Sequence, residues 1–122
     1  MKKQYRVKKS KEIEQILKNH RCSKNNYFTI YIKEQHETSH FRYAMSVGKK
    51  IGNAVVRNYI KRRIRAAVRT FVILPTVDIF IVARGKVNEL DFKGVQRELY
   101  YLFQKQKLLV KGEKNDSIFK QT

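Results

Sequence analysis

The sequence predicts a single α/β domain, a two-layer sandwich in which helices pack on a mixed central sheet. Alternating apolar residues indicate strands, and apolar residues spaced three to four apart indicate helices. The two kinds of segment follow the order helix, strand, strand, helix, strand, helix. The chain has 122 residues, of which 42% are hydrophobic, so that one core of modest size can form.

The N-terminal third contains a helix and two strands. Ser10 is a candidate N-cap for a short helix that carries Ile13 and Leu17 at helical spacing. Two alternating segments follow, at 27–33 and 41–47, and we expect them to pair as antiparallel strands. The first of these strands is rich in aromatic residues on both faces.

A basic helix and a buried strand come next. Asn53 can cap a helix over residues 54–71, which Pro75 prevents from continuing. Residues 78–83 are a short and almost continuous apolar run. Such a run is typical of a central strand that is covered on both faces.

The last predicted helix begins near Leu90 or Asp91 and turns one apolar stripe inward. Its expected inward residues are Val95, Leu99, Leu102, Phe103 and Leu109. Residues 1–110 are assigned to one domain, and residues 111–122 to a polar, flexible tail.

The basic residues of this chain, whose formal net charge is +18, are concentrated in its middle. The forty residues from Thr38 to Val77 contain no acid and nine basic side chains. Like charges four residues apart on a helix repel by about 0.2–0.5 kcal/mol per pair, so stability alone does not favour this pattern. Arginine predominates on the helix, and its planar group binds a phosphate through two parallel hydrogen bonds. The sequence therefore predicts a polyanion-binding surface, with a nucleic-acid backbone as the partner.

The composition argues against several other classes of function. Cys22 is the only cysteine, so neither an internal disulfide nor an all-cysteine zinc site can form. The ten acids are scattered, and no metal-site cluster surrounds His20, His36 or His40, so we expect no protein-bound metal ion and no self-contained catalytic site. No apolar run has the length of a signal peptide or a membrane span, which predicts a cytoplasmic protein without a membrane partner.

The segment from Lys49 to Arg65, KKIGNAVVRNYIKRRIR, closely resembles the signature of the bacterial ribonuclease P protein subunit. Supporting patterns lie around it at Tyr5-Arg6-Val7, Phe28-Thr29-Ile30-Tyr31, Phe41-Arg42 with Ser46-Val47, and Ile81-Val82-Ala83-Arg84. The resemblance spans residues 5–110. It implies an αβββαβα-type sandwich with a left-handed βαβ crossover, and a fourth, short edge strand that the pattern near Thr38 does not reveal.

This resemblance implies that the chain is the protein cofactor of a catalytic RNA and not itself the catalyst. In the family, the RNA subunit and its bound Mg²⁺ remove the 5′ leader of precursor tRNA, while the protein raises substrate affinity and lowers the magnesium requirement. The implied partners are the RNA subunit, with one protein per RNA, and the single-stranded leader. No cofactor is expected on the protein alone.

Two sets of binding residues are implied when the family's positions are carried over. The expected contacts with the RNA subunit are Lys49, Lys50, Asn53, Arg57, Asn58, Lys61, Arg62 and Arg65. The expected contacts with the leader, in a cleft between the sheet and the first helix, are Ile13, Leu17, Tyr27, Tyr31 and Arg42. Three positions depart from the family: Tyr59 stands where members often have arginine, and Ile13 and Leu17 stand where relatives commonly have phenylalanine.

A structural RNA-binding protein of the ribosomal type is the alternative, because it would carry the same charge without an exposed aromatic cleft. A DNA-binding helix-turn-helix protein is disfavoured, since a strand and not a second helix precedes the basic helix.

Overall fold

A computed structural model describes residues 7, 10–19, 21–35, 40–116 and 118. Its helices and strands are, in chain order, α1 (Ser10–Lys18), β1 (Cys22–Lys24), β2 (Phe28–Glu34), β3 (Arg42–Ser46), α2 (Ala54–Arg69), β4 (Val77–Ala83), α3 (Phe92–Lys105) and α4 (Glu113–Asp116). Two 3-10 turns, Lys49–Ile51 and Gly85–Glu89, precede α2 and α3. The sequence features at Tyr5, Arg6, His20, His36 and Thr38 lie outside the described residues.

A mixed four-stranded sheet in the order β1-β2-β4-β3 forms the middle of the domain, as the predicted fold class requires. β2 pairs antiparallel with β1 and β4, whereas β4 pairs parallel with β3. The prediction that β2 and β3 pair with each other is wrong, because β4 lies between them and hydrogen-bonds to both. α2 supplies the long connection that the parallel neighbours β3 and β4 need. The left hand of this crossover stays a prediction.

The strand that alternation did not reveal is β1, at one edge of the sheet. It has three residues, and its ladder to β2 runs from the pair Cys22 and Tyr31 to the pair Lys24 and Thr29. Three residues are too few to show a period of two. The side-chain nitrogen Nε2 of Gln106 donates to the Cys22 carbonyl at 3.2 Å, and this bond connects β1 to the end of α3.

The inner face of the sheet packs against α2 and α3 and forms the main core. Fully buried side chains here include Phe28, Ile30, Ile32, Ile79 and Ile81 from the strands, Ile60, Ile64, Ala67 and Val68 from α2, and Val95, Leu99, Leu102 and Phe103 from α3. Each large apolar side chain of this kind stabilises the fold by about 1.5–3 kcal/mol. The apolar stripe of α3 that was predicted to turn inward is confirmed, except at Leu109.

The start of α2 is fixed by two neighbouring residues. The side-chain oxygen of Asn53 accepts a hydrogen bond from the Val56 amide at 3.0 Å, which confirms the predicted N-cap. A Cβ on Gly52 would lie 2.8 Å from Val56 Cγ1 and 2.9 Å from Val56 Cβ, so only glycine permits this close approach. The helix ends at Arg69, two residues before the predicted Phe71.

The α3 helix begins after its N-cap Asp91, as predicted, but it is shorter than the apolar spacing suggested. Its last residue is Lys105, and Lys107 then takes the left-handed conformation with φ of 57°. The chain reverses there, so Leu109 lies outside the helix and forms an isolated antiparallel bridge with Ile73. Leucines continue at helical spacing past the turn, which is why the sequence pattern overextended the helix.

Asn115 anchors α4 to the domain, within the segment that was predicted to be a polar, flexible tail. Asn115 in α4 is only 3% exposed. Its side-chain oxygen accepts a hydrogen bond from the Val72 amide at 2.8 Å. Its amide nitrogen donates to the carbonyl oxygens of Val72 at 2.8 Å and Val110 at 2.7 Å. One buried amide therefore joins three chain segments.

Replacement of Asn115 by alanine is expected to lower the free energy of unfolding by about 1–3 kcal/mol, because three part-buried hydrogen bonds to the backbone are lost. Urea denaturation measures the change. The exposed neighbour Lys111 provides the control, and its alanine variant should remain within about 0.5 kcal/mol of the wild type. Equal stability of the two variants would show that α4 does not hold these segments together.

Candidate nucleic-acid interface

The buried and exposed residues of α2 lie on opposite sides of the helix. Ile60 and Ile64 face the core, whereas Asn58, Arg62 and Arg69 are exposed. A third group, Arg57, Lys61 and Arg65, is half-buried along one flank, where long side chains can cover apolar surface while their charged ends reach water. The 3-10 turn that carries the exposed Lys49 and Lys50 packs against the start of α2. We call Lys49, Lys50, Arg57, Lys61, Arg62, Arg65 and Arg69 the basic surface.

No ion pair neutralises the six cations of α2 within the described part of the chain. Arg63 lies on the other flank, where its Nη1 donates to the Leu90 carbonyl at 3.0 Å. The Nε of Arg57 is buried and has no hydrogen-bond partner among the described residues. A buried donor without a partner costs about 1–3 kcal/mol, and an anion beside Arg57 would supply the missing acceptor.

The outer face of the sheet, opposite α2 and α3, consists of three rows of side chains that cross the strands. The first row is Cys22, Tyr31, Phe80 and Ala44, the second is Lys24, Thr29, Val82 and Ser46, and the third is Lys33, Asp78 and Arg42. α1 lies over the third row, where Lys33 Nζ donates to Gln15 Oε1 at 3.0 Å. Ile16 of α1 is 1% exposed, so it provides the apolar contact of this helix.

An ion cluster holds α1 on the third row. Arg42 donates from Nε to Asp78 Oδ1 at 3.0 Å and from Nη2 to Asp78 Oδ2 at 2.7 Å. The same Nη2 lies 2.8 Å from Glu12 Oε2 in α1. The hydrogen bonds to Asp78, supported by the charge of Glu12, raise the pKa of Arg42 above its ordinary value. The guanidinium of Arg42, a residue of β3, therefore links α1 to β4.

The first two rows remain accessible beside α1. Tyr31 and Phe80 are half-buried, and their ring centroids are 6.4 Å apart with planes inclined by 33°. Val82, Ala44 and Ser46 are half-buried next to them. This arrangement offers an apolar, partly aromatic surface rimmed by the exposed Lys24, which can receive flat apolar groups attached to an anionic chain.

A family model described as Ribonuclease P matches residues 1–107. The chain belongs to the ribonuclease P protein family. The ribonuclease P protein component of Enterococcus faecalis is 40% identical over 111 residues, which cover 89% of this chain and 94% of the relative. That of Streptococcus equi subsp. zooepidemicus is 42% identical over 114 residues, which cover 92% and 94%.

Solved ribonuclease P proteins have the same fold. The protein from Staphylococcus aureus matches with a TM-score of 0.79 and 34% identity, over 87% of this chain and 98% of that one. The protein from Thermotoga maritima matches with a TM-score of 0.74 and 26% identity, over 88% and 98%. The family resemblance and the α/β fold class predicted from the sequence are both confirmed.

The predicted contacts with the ribonuclease P RNA lie on or beside the basic surface. Lys49, Lys50, Asn58 and Arg62 are exposed, and Arg57, Lys61 and Arg65 are half-buried. Asn53 is also exposed, but its side-chain oxygen is occupied as the helix cap, so only its amide nitrogen remains available to RNA.

The predicted leader contacts are less uniform in their placement. Tyr31 lies on the open first row, and Ile13 and Leu17 belong to α1, where Leu17 is 40% exposed. Tyr27 precedes β2 and packs against the inner core. Arg42 lies on the outer face, but two carboxylates already occupy its Nε and Nη2.

Phe80 and Val82 lie on the candidate surface of the outer face, and sequence reasoning missed both. The run 78–83 was predicted to be covered on both faces, which is wrong at these two half-buried residues, because no helix of the described residues covers the middle of the outer face. Apolar residues occupy both faces of this strand, so the sequence shows no alternation of apolar and polar residues that would mark Phe80 and Val82 as outward-facing. Only the register with Tyr31 shows that Phe80 lies beside it.

No helix of the described residues is long and apolar enough to cross a bilayer. Nor do histidine, cysteine, aspartate and glutamate form a group of three or more that could hold a metal ion within the same residues.

Replacement of Asp78 by alanine should lower the free energy of unfolding by about 1–3 kcal/mol, because it removes two hydrogen bonds from the half-buried Arg42. Urea denaturation gives the size of the loss, and hydrogen exchange should show weaker protection in α1.

The ion pair between Arg21 and Glu34 supplies a control, since its atoms are 3.4 Å apart and Glu34 is 68% exposed. Glu34→Ala should cost less than about 1 kcal/mol. If Asp78→Ala left the exchange of α1 unchanged, the ion cluster would not be what holds this helix.

Proposed function

We propose that this protein is the protein subunit of the ribonuclease P ribonucleoprotein and that it assists a catalytic RNA in removing the 5′ leader of precursor tRNA. The observation that carries the proposal is the basic surface, whose cations have no carboxylate partner among the described residues. A folded RNA supplies phosphates at the spacing and number that such a surface requires. The family assignment then identifies the RNA as the ribonuclease P RNA.

Binding of the RNA subunit rests on α2 and the turn before it. Arg57 and Arg65 offer planar groups for phosphate oxygens, and Lys49 and Lys50 add charge at the N-terminus of α2. The positive end of the helix dipole lies at the same place and favours an anion there. The Nε of Arg57, which has no hydrogen-bond partner among the described residues, would gain an acceptor from such an anion.

Binding of the leader rests on the first two rows of the outer face. Unstacked bases can lie on Tyr31 and Phe80 without regard to their identity, as a leader of variable sequence requires. Lys24 at the rim is suited to the leader's phosphates. Because Arg42 is held by Asp78 and Glu12, we assign to it the positioning of α1 at the edge of this surface instead of a direct phosphate contact.

The chemistry belongs to the RNA subunit and its Mg²⁺ in this proposal. The described acids form no cluster that would hold the ion, and no reaction step is assigned to a protein side chain. The protein's part is electrostatic, because its cations replace some of the counterions that the RNA's phosphates otherwise need. A lower magnesium requirement of the holoenzyme follows from that replacement.

Reconstitution tests the proposal directly. The protein, mixed with the RNA subunit encoded by the same genome, should stimulate leader removal from precursor tRNA at low magnesium. The variant Arg57→Ala/Arg65→Ala, shown to be folded by circular dichroism, should stimulate less. A folded wild-type protein that binds RNA but gives no stimulation would instead support the ribosomal-type alternative.

The salt dependence of binding to the RNA subunit should report the phosphate contacts. About six contacts give a slope of about −4 to −5 in a plot of log affinity against log salt concentration. Arg57→Ala and Arg65→Ala should each flatten the slope by about 0.7–0.9, since each removes one contact. Filter binding over a range of salt concentrations measures the slope.

Lys105 provides the matched control, because it is an exposed cation in the last turn of α3 and does not belong to the basic surface. Lys105→Ala should leave the slope unchanged. If the slope became flatter by the same amount in all three variants, binding would depend on net charge and not on this surface.

Replacement of Tyr31 by alanine should weaken binding of precursor tRNA to the holoenzyme about 5- to 150-fold, the value of one base–aromatic stack. Binding of mature tRNA, which lacks the leader, should not change. Titration of the two tRNAs against wild-type and variant holoenzymes gives the comparison. An equal loss for both tRNAs would place Tyr31 outside the leader site.

A further inference from the structure

The exposed side of α2 carries an apolar pair within its positive charge. Tyr59 is 56% exposed and Val55, one turn earlier, is 62% exposed. Among the described residues, Tyr59 has neither a hydrogen bond nor a ring contact. By contrast, Tyr101 on α3 is exposed to a similar extent, 54%, but its ring lies 5.8 Å from that of Tyr100.

We propose that Tyr59 and Val55 form a stacking platform for one unpaired base of the RNA subunit. This inference rests on the proposed function and adds to it a contact with a base, where the basic surface supplies contacts with phosphates. Tyr59 and Val55 are called the α2 platform below.

Charge complementarity identifies the occupant. Asn58, Arg62 and Arg63 flank Tyr59 on the helix, and no acid occurs anywhere in α2. A protein partner that covered this pair would have to bury or neutralise the neighbouring guanidinium groups. A nucleic acid brings phosphates for the cations and a flat apolar base for the ring in the same chain.

The geometry fits a base better than it fits a phosphate. A tyrosine hydroxyl offers one neutral donor, whereas the arginines around it offer several charged ones, so a phosphate gains little from Tyr59. The two side chains are one helical turn apart, about 6 Å along the axis, which matches the dimensions of a single base. The base must be unpaired, because bases inside a duplex do not present a face to a side chain.

Binding of the full-length RNA subunit transcript to four variants tests the platform. Tyr59→Ala should weaken binding about 5- to 150-fold, which corresponds to 1–3 kcal/mol of stacking, and should leave the salt slope unchanged. Tyr59→Phe should bind like the wild type, because it keeps the ring. Tyr59→Arg should steepen the slope if its charge reaches a phosphate. Tyr101→Ala is the matched control and should have no effect.

Ultraviolet cross-linking followed by mass spectrometry gives a second measurement. In the wild-type complex, residue 59 should cross-link to a nucleotide that is unpaired in the RNA subunit, and the Tyr59→Ala complex should lack this adduct. A cross-link to a nucleotide within a duplex, or a Tyr59→Phe variant as weak as Tyr59→Ala, would overturn the platform.

Arg65→Ala separates failure of this inference from failure of the proposed function. If Arg65→Ala weakens binding and flattens the salt slope while Tyr59→Ala matches the wild type, the basic surface binds the RNA and the platform does not exist. If the wild-type protein does not bind the transcript at all, the proposed function itself is wrong.

Discussion

The packing of α2 on the inner face of the sheet is the constraint on which the candidate RNA surface depends. Three like-charge pairs at a spacing of four residues, beginning with Arg57 and Lys61, cost about 0.6–1.5 kcal/mol in total. Burial of Ile60 and Ile64 contributes about 1.5–3 kcal/mol each, so the helix forms in spite of its charge. Because the connected strands β3 and β4 fix both ends of α2, its cations cannot turn away from solvent.

The same sheet separates two surfaces that have different physical character. The inner face carries α2 and through it the cations, whereas the outer face presents Tyr31 and Phe80 beside α1. One surface suits phosphates held in a folded RNA, and the other suits bases that are free of pairing. Since the two surfaces lie on opposite sides of one thin layer, a single small protein can contact two RNA segments without their competing for the same side chains.

Local patterns in the sequence were sufficient for helices α1, α2 and α3 and for most strands, because caps and periodicity act between near neighbours. Asn53 and Asp91 are caps that can be identified from the sequence alone. The pairing of the strands was not predictable, because alternation identifies a strand but not its partner. The position of β4 between β2 and β3 depends on the whole sheet and not on local sequence. The missed candidate residue Phe80 and the ion cluster at Arg42 have the same origin: both arise from contacts between segments 30 or more residues apart in sequence.

The ion cluster also limits how the outer face can bind an anionic strand. Asp78 is 4% exposed, and a carboxylate this deeply buried is costly unless a cation stays beside it. A phosphate that drew Arg42 away would leave Asp78 unpaired, so the leader gains little by competing for that guanidinium. Lys24 is exposed on β1, at the opposite edge of the sheet, and it forms no ion pair with the described residues. If the outer face binds the leader as proposed, the phosphates are better accommodated along β1, with the bases directed across Tyr31 towards Phe80.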